Sequence, residues 1–268
     1  MNKYPLAYRT LAVTAGFSGF MSGVEVALEH YRGSYGQRIM YSPVVLSALL
    51  GLTGLGAAVG IGGAVTLLPV ASWILILDGV LGFGFHIRGI SRKPGGWRMP
   101  VSNIVMGPPI FAPLLLPIGG VLGWVASRLM SSPANSKNRT QTVLYGVVSV
   151  SALLNGFEAL YSHYKANFSK RSQWIPVILA PLVAAVSFST LRDRRLARVA
   201  LPAVSVVGVG AGFLGSLLHL RGTLKRPGFK QHQFYNLVYG PPVLAPILFS
   251  ATGFMGLLAC YLERQGEI

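Results

Sequence analysis

The segment Gly107-Pro108-Pro109-Ile110-Phe111-Ala112-Pro113 recurs as Gly240-Pro241-Pro242-Val243-Leu244-Ala245-Pro246, at a sequence offset of 133. On both sides of this pair, the same shift superposes further motifs without gaps. The matching residues include Gly23, Glu25, His30, Tyr31 and Pro43 on Gly156, Glu158, His163, Tyr164 and Pro176, and His86, Arg88 and Gly89 on His219, Arg221 and Gly222. Self-similarity at a fixed period indicates a repeated structural unit. We therefore predict two tandem repeats, residues 1–133 and 134–268.

The composition indicates what kind of unit is repeated. Hydrophobic residues make up 52% of the chain, charged residues only 11%, and the mean hydropathy is +0.54. A typical soluble domain has roughly 25% charged residues, so this chain cannot cover a water-facing surface of its size. A single cysteine, Cys260, excludes a disulfide scaffold, and the apolar content excludes a disordered chain. We predict an all-α integral membrane protein.

The number of spans follows from the apolar stretches. A helical span needs about 20 mostly apolar residues. Eight stretches qualify, four in each repeat: 11–30, 44–65, 71–89, 108–129, 142–163, 174–191, 199–220 and 240–262. Four spans is an even number, so both repeats enter the membrane in the same sense. This predicts a parallel pseudo-two-fold axis along the membrane normal, with both termini on one side.

The excess of basic residues has a pattern that fits a membrane surface. The chain carries 23 Lys and Arg against 7 Asp and Glu, a formal net charge of +16, and these basic residues cluster between the apolar stretches. Such loops are typical of contact with anionic lipid headgroups, so we expect a bilayer partner and no nucleic acid. The first stretch has no clear cleavage site before His30 and is interpreted as a span, not a signal peptide. We expect a bacterial-type inner or plasma membrane.

Orientation depends on how the basic residues divide between the two sides. Thirteen lie in the loops after the odd-numbered spans: Arg32, Arg38, Arg88, Arg92, Lys93, Arg98, Lys165, Lys170, Arg171, Arg221, Lys225, Arg226 and Lys230. The other ten belong to the opposite side. By the positive-inside rule, this small excess favours a cytoplasmic location for the first set of loops.

Four of the five histidines occupy equivalent positions near the ends of odd-numbered spans: His30, His86, His163 and His219. Two imidazoles on different helices can clamp a haem iron. A basic residue follows each of them by two positions and can meet the haem propionates: Arg32, Arg88, Lys165 and Arg221. We therefore predict a b-type haem subunit that exchanges electrons with quinone or a partner protein. The same geometry suits chlorophyll or a metal ion.

A structural role for the histidines is the alternative. A histidine at the C-terminal end of a span lies at headgroup level and complements the negative end of the helix dipole. The Arg-Gly pair that follows His86 and His219 is typical of a helix end.

Three acids fall inside the predicted spans and away from their ends: Glu25, Asp78 and Glu158. Intramembrane carboxylates are costly and usually face a cavity or a partner, so we predict a proton or ion relay. Glu25 and Glu158 are equivalent positions, whereas Asp78 corresponds to Ala211. Glu25 precedes His30 by five residues, about 140° around a helix, which argues against a metal pair on one face. Asp78 and His86 do share a face. The alternative is a protonated acid bonded to a neighbouring helix.

The basic loops offer one more candidate site. Residues 92–98 and 225–230, together with Asn103 and Asn236, can bind an anion such as a headgroup, a phosphate or a carboxylate. A loop held at the lipid surface is the alternative. Three functions therefore remain open: a haem subunit, a small transporter or channel for an anionic or proton-coupled substrate, and a structural subunit of a membrane complex. The sequence contains no nucleotide-binding or hydrolase motif that would predict an enzymatic activity.

Overall fold

The computed structural model describes residues 4–131 and 133–266, and the side chains of these residues except at positions 131 and 133–137. All regular structure within these ranges is helical, as predicted. The α-helices in chain order are α1 (Leu6–Arg32), α2 (Ser42–Ala58), α3 (Gly62–Ser91), α4 (Pro100–Val105), α5 (Leu116–Ser131), α6 (Pro133–Lys165), α7 (Trp174–Thr190), α8 (Ala200–Leu224), α9 (Gln233–Tyr239) and α10 (Ala245–Arg264). Single 3-10 turns, Arg38–Tyr41 and Ala112–Leu115, precede α2 and α5.

Eight helical segments in the described ranges are long and apolar enough to cross a membrane, and this confirms the predicted number of spans. Each contains most of one predicted stretch. Their bounds are Leu6–Arg32, Arg38–Ala58, Gly62–Ser91, Ala112–Met130, Asn138–Lys165, Arg171–Thr190, Ala200–Leu224 and Ala245–Arg264. The two short helices, α4 and α9, lie in the connections before the fourth and eighth spans.

The predicted boundary between the second and third spans was wrong. The second span ends at Ala58 and the third begins at Gly62, so a short turn between these residues replaces the expected gap between positions 65 and 71. Gly60 adopts a φ of +87°, which a residue without Cβ does at little cost. Neither end of this turn carries a charge, so hydropathy alone could not locate it.

The predicted helix starts at residues 108 and 240 were also wrong. The two helices begin at Ala112, with its 3-10 turn, and at Ala245. A residue that precedes proline is biased away from helical backbone angles, so the Gly-Pro-Pro segments stay outside the helices. The next proline, Pro113 or Pro246, stands in the first helical turn, where its missing N–H leaves nothing unpaired.

The helices pack as two groups. In the first, α1 and α3 both contact α2 and α5; in the second, α6 and α8 both contact α7 and α10. Glycines allow the close approaches: a Cβ on Gly54 of α2 would lie 2.6 Å from the Gly16 nitrogen of α1. Contacts between the groups join α1 to α9 and α10, and α6 to α4 and α5. The division at residue 133 stays a prediction, and the chain ends, residues 1–3 and 267–268, lie outside the described residues.

Candidate functional site

A cavity of about 440 Å³ lies where the C-terminal halves of α1 and α3 meet the beginnings of α2 and α5. The segment from Pro108 to Leu116 closes one side, and Leu248 of α10 contributes from the second group of helices. This volume falls in the range of small-molecule sites, roughly 300–1,000 Å³. Most of its walls are apolar, for example Val26, Leu81 and Phe85. It therefore combines the size and the apolar lining of a ligand pocket.

The polar side of this cavity is acidic. Three carboxylates line it, Glu25, Glu29 and Asp78, and two imidazoles, His30 and His86. The chain has 23 Lys and Arg, yet none of them is among the described residues that line the cavity. From outside the lining, Arg32 forms an ion pair with Glu29 at 2.6 Å. The other two carboxylates, Glu25 and Asp78, form no ion pair within the described ranges, although the charge of Arg32 also acts on Glu25.

Asp78 is held by a contact between two helices. The Ser42 hydroxyl, at the first residue of α2, lies 2.6 Å from Asp78 Oδ1 of α3 and 2.8 Å from the carbonyl of Ile39, and its one hydrogen is shared between these two acceptors. In the same turn of α3, Gly79 packs so closely on α5 that a Cβ there would lie 2.3 Å from Pro117 Cδ. Asp78 is therefore fixed at the point where three helices meet.

Of the three carboxylates that line the cavity, Glu25 has the fewest contacts that hold it in place. It is half-buried and accepts no hydrogen bond from the part of the chain that the structure describes. The charged and titratable groups around it are Glu29, His30 and Arg32 of its own helix, and Asp78 and His86 of α3. Glu25 and His30 line the same cavity although they are about 140° apart on the helix.

A metal site does not emerge from these groups. No set of three His, Cys, Asp or Glu side chains placed to hold a metal ion occurs among the described residues.

Three of the four repeated histidines make the same hydrogen bond. The Nδ1 atoms of His30, His86 and His219 lie 2.6–2.7 Å from the backbone carbonyls of Met40, Pro109 and Pro242. Because a carbonyl only accepts, each Nδ1 carries the proton. The neutral ring then presents Nε2 as an acceptor, free for a proton, a ligand or a metal.

The histidines form two pairs and not one cluster. His30 and His86 share the cavity, while the rings of His163 and His219 lie 6.4 Å apart, nearly perpendicular. The Nδ1 atom of His163 is buried and makes no hydrogen bond of standard geometry to a described residue, but it has a looser backbone hydrogen bond with Gln173, which corresponds to Met40. Neither His163 nor His219 lines the large cavity.

Glu158 lies apart from the other two predicted acids. Its Oε1 atom accepts a hydrogen bond of 2.8 Å from the backbone nitrogen of Phe111, and the nitrogen of Ala112 also interacts with its carboxylate. These nitrogens belong to the start of the helical turn before α5, where backbone N–H groups have no partner within the helix. Glu158 of α6 thus caps a helix of the other group, and the helix dipole favours its charge.

The basic residues predicted to meet haem propionates do not gather at the cavity. Arg32 donates to the carbonyls of Val238 and Gly240 as well as to Glu29, and so joins α1 to the segment that ends α9. Arg88 and Arg221 are exposed. Neither of these two makes a side-chain hydrogen bond within the described ranges.

The asparagines predicted to face an anion bond to their own loops instead. Asn103 donates to the carbonyls of Pro94 and Gly96 at 3.0 and 2.8 Å. Asn236 donates to the carbonyl of His232 at 3.0 Å. These bonds favour the structural interpretation of the two loops.

Several cavity residues had no distinctive sequence signal. Ser42 and Glu29 are ordinary residues at a helix start and near a helix end, and only the packing brings them to the site.

Tyr35, in the turn after α1, stacks on Tyr41 with ring centroids 4.3 Å apart and lies edge-on to His30 at 5.9 Å. Burial raises the pKa of the Tyr35 hydroxyl, which donates to the carbonyl of Ala27.

The structure thus divides the predicted site residues between two environments. Glu25, Asp78, His30 and His86 line one cavity, whereas His163, His219 and Glu158 lie outside it. Comparison of the chain with protein-family models, with curated proteins and with solved structures finds no match.

Proposed function

We propose that the protein is a membrane transporter whose large cavity binds a small organic cation and exchanges it against protons at Glu25. The acidic lining carries this proposal: two carboxylates that form no ion pair in the described ranges face a cavity that no described Lys or Arg lines, in a chain of net charge +16. Opposite charges attract strongly where water is excluded. An anionic substrate would meet like charges here, so we favour a cation.

The rest of the lining supports an organic cation over a metal ion. Apolar side chains such as Val26, Leu81 and Phe85 offer contact to a hydrocarbon body. The carboxylates of Glu25 and Asp78 lie at the same cavity and can balance an ammonium group. A bare ion would need several ligand atoms at once, and no cluster of three ionisable ligands occurs in the described part of the chain.

Proton exchange follows from charge balance. If Glu25 releases its proton when the cation arrives, the total charge of the cavity stays constant. This avoids leaving an unpaired charge in the membrane, which is costly. Glu25 suits this role because it accepts no described hydrogen bond, whereas Asp78 is held by Ser42.

Ethidium, a fluorescent permanent cation, tests the proposal in liposomes that contain the purified protein and the pH dye pyranine. We expect saturable ethidium uptake with proton movement in the opposite direction. Glu25→Gln should lower the proton flux about tenfold, which corresponds to roughly 1.4 kcal/mol. Glu158→Gln is the matched control, because Glu158 does not line the cavity and a glutamine oxygen can still accept from the Phe111 nitrogen, and it should stay within about twofold of the wild type. A folded wild-type protein that neither binds nor moves ethidium or simple quaternary ammonium ions contradicts the proposal.

A haem b subunit is the second candidate, and the histidine geometry favours it. An Nδ1–H bond to a carbonyl is the arrangement that orients metal-ligating imidazoles, and His30 and His86 present it at one cavity. A bound haem would supply one-electron transfer, with quinone or a partner protein as the other party. The cavity carboxylates repel propionates, which ranks this candidate second.

The visible absorption spectrum tests the haem. A Soret band in the purified protein, lost in His86→Ala, supports it. A colourless, folded protein contradicts it. If neither haem nor cation is bound, a structural subunit of a membrane complex is the remaining proposal.

We further propose that the chain is two tandem four-span repeats related by a pseudo-two-fold axis along the membrane normal. Helix ends support this: α1 and α3 end at Arg32 and Ser91, and α6 and α8 end at the equivalent positions, Lys165 and Leu224. Unusual backbone angles recur at the same spacing. The positive φ values at Ser34, Tyr35 and Gly95 correspond to those at Asn167, Phe168 and Gly228.

This arrangement has consequences for topology. We propose that both termini lie on one side of a bacterial-type inner or plasma membrane, as an even number of spans requires, and that the basic loops meet anionic headgroups. A peptide tag at either terminus should be cleaved by protease from the same side of sealed vesicles. Protection of one tag and not the other contradicts the even number of spans.

A further inference from the structure

A second cavity, of about 30 Å³, lies between the two groups of helices. Hydroxyl or amide side chains from α1, α6 and α10 line it: Ser18, Ser22, Ser151, Asn155 and Thr252. Three residues, Ser22, Leu115 and Leu248, line both this cavity and the large one. The small cavity therefore adjoins the large one at Ser22, which precedes Glu25 by three residues on the same face of α1.

The small cavity contains a polar group without a protein partner. Ser151 is only 1% exposed, and its hydroxyl makes no hydrogen bond within the described ranges. Such a group needs an explanation, because a buried unpaired hydroxyl is destabilising. The cavity is larger than the roughly 10–15 Å³ that one water molecule requires.

Water would find enough partners there. The Asn155 amide donates to the Ser151 carbonyl at 2.9 Å and to the Thr252 hydroxyl at 3.1 Å, which fixes one wall. Ser18 and Ser22 make no side-chain hydrogen bond in the described part of the chain. Together with Ser151, they provide the two to four partners that a buried water needs.

We propose that this small cavity holds ordered water that links Ser151 to the Glu25 carboxyl through Ser22, and that protons reach and leave Glu25 by this route. The proton step rests on the proposed function. A proton that leaves Glu25 passes to the neighbouring water, and each water or hydroxyl along the chain gives up one proton as it accepts another. The last water of the chain releases one proton to the aqueous phase, so Glu25 is left ionised and no other group of the protein changes its charge.

The direction in which a substitution of Ser151 shifts the melting temperature tests whether the small cavity holds water. If water bonds Ser151, Ser151→Ala removes a partner and lowers the melting temperature by about 2 °C. If the cavity is dry, the same change removes an unpaired hydroxyl and raises the melting temperature. Ser205→Ala is the matched control: Ser205 is 0% exposed, its hydroxyl has no described partner, and it lines neither cavity. A rise in Ser151→Ala equal to that of the control overturns the proposal.

A second variant tests the proton route in the ethidium and pyranine assay. Ser151→Val fills the small cavity without touching the large one, so we expect about tenfold slower proton movement and ethidium binding within about twofold of the wild type. Wild-type proton flux in Ser151→Val overturns the route. If the wild type itself moves no ethidium or protons, the proposed function fails, while the melting temperatures still decide whether the cavity is hydrated.

Discussion

Glu25 and Glu158 stand at matching positions of α1 and α6, yet their surroundings differ. Glu158 accepts a hydrogen bond from the Phe111 nitrogen and caps the start of another helix. Glu25 has no described hydrogen bond and faces a cavity of about 440 Å³. The same residue type, at the same place in a span, is thus a structural cap in one half and an open carboxylate in the other.

The neighbours of the two glutamates explain the difference. The first half has Asp78 and Ser42 beside Glu25, linked by a hydrogen bond of 2.6 Å. At the corresponding positions, the second half has Ala211 and Ile175, which cannot form that link. The hydrogen-bonded pair of Ser42 and Asp78 therefore has no counterpart in the second half. A matching position in a sequence predicts a place in the fold, but the neighbours decide the role.

The largest expected effect comes from adding an acid to the second half, at the position equivalent to Asp78. Ala211→Asp places a carboxyl on α8 where Ile175 replaces the serine that holds Asp78. An unpartnered acid in a span costs about 3 kcal/mol, and we expect a loss of that size in the free energy of unfolding. Titration with sodium dodecyl sulfate measures it, and Ala211→Ser is the control for size. A loss below about 1 kcal/mol would mean that the second half has a polar site of its own.

The two glutamates should differ in what they contribute to stability. Glu158→Ala leaves the Phe111 nitrogen without its acceptor, and we expect it to lower the free energy of unfolding by about 2 kcal/mol. Glu25→Ala breaks no described hydrogen bond and removes an acid from a span, so it should leave the same quantity unchanged or raise it. Equal losses in the same titration would contradict the comparison.

Arg32 and Lys165 offer a third contrast between the halves. Arg32 bonds to Val238, Gly240 and Glu29, whereas Lys165 is exposed and makes one long contact to the Tyr161 ring at 6.0 Å. Arg32→Ala leaves two carbonyls and a carboxylate unpaired, so we expect a loss of about 1.5 kcal/mol in unfolding free energy. Lys165→Ala should lower the free energy of unfolding by about 0.5 kcal/mol or less. A loss as large as that of Arg32→Ala would contradict the contrast between the two residues.

The smallest effect concerns Ser42. Ser42→Ala removes one hydrogen bond to Asp78, and we expect the free energy of unfolding to fall by about 1 kcal/mol. Ile175→Ser is the reciprocal change in the second half. It adds a hydroxyl where Ala211 offers no acceptor, so we expect no increase in the free energy of unfolding. A stabilising Ile175→Ser would show that the missing serine, not the missing acid, sets the halves apart.

The candidate site was predictable in part. Glu25, Asp78 and the histidines stood out because an acid or an imidazole is rare in an apolar stretch. Their grouping was not predictable, since four equivalent positions do not show which histidines lie together, and only the fold groups His30 with His86 and His163 with His219. Ser42 and Ser151 carried no signal, because a serine in a membrane helix is common and only its neighbours make it notable.

By itself, the sequence determined the helical class, the eight spans and the motifs that match between the two halves, because hydropathy and periodicity are local properties that a chain displays before it folds. Tertiary structure decided which glutamate is capped and which faces a cavity. Those outcomes depend on contacts between residues 36 and 47 positions apart, Ser42 with Asp78 and Phe111 with Glu158. Only the packing of whole helices brings such residues together, because neighbours in space that are far apart in the sequence leave no local pattern in it.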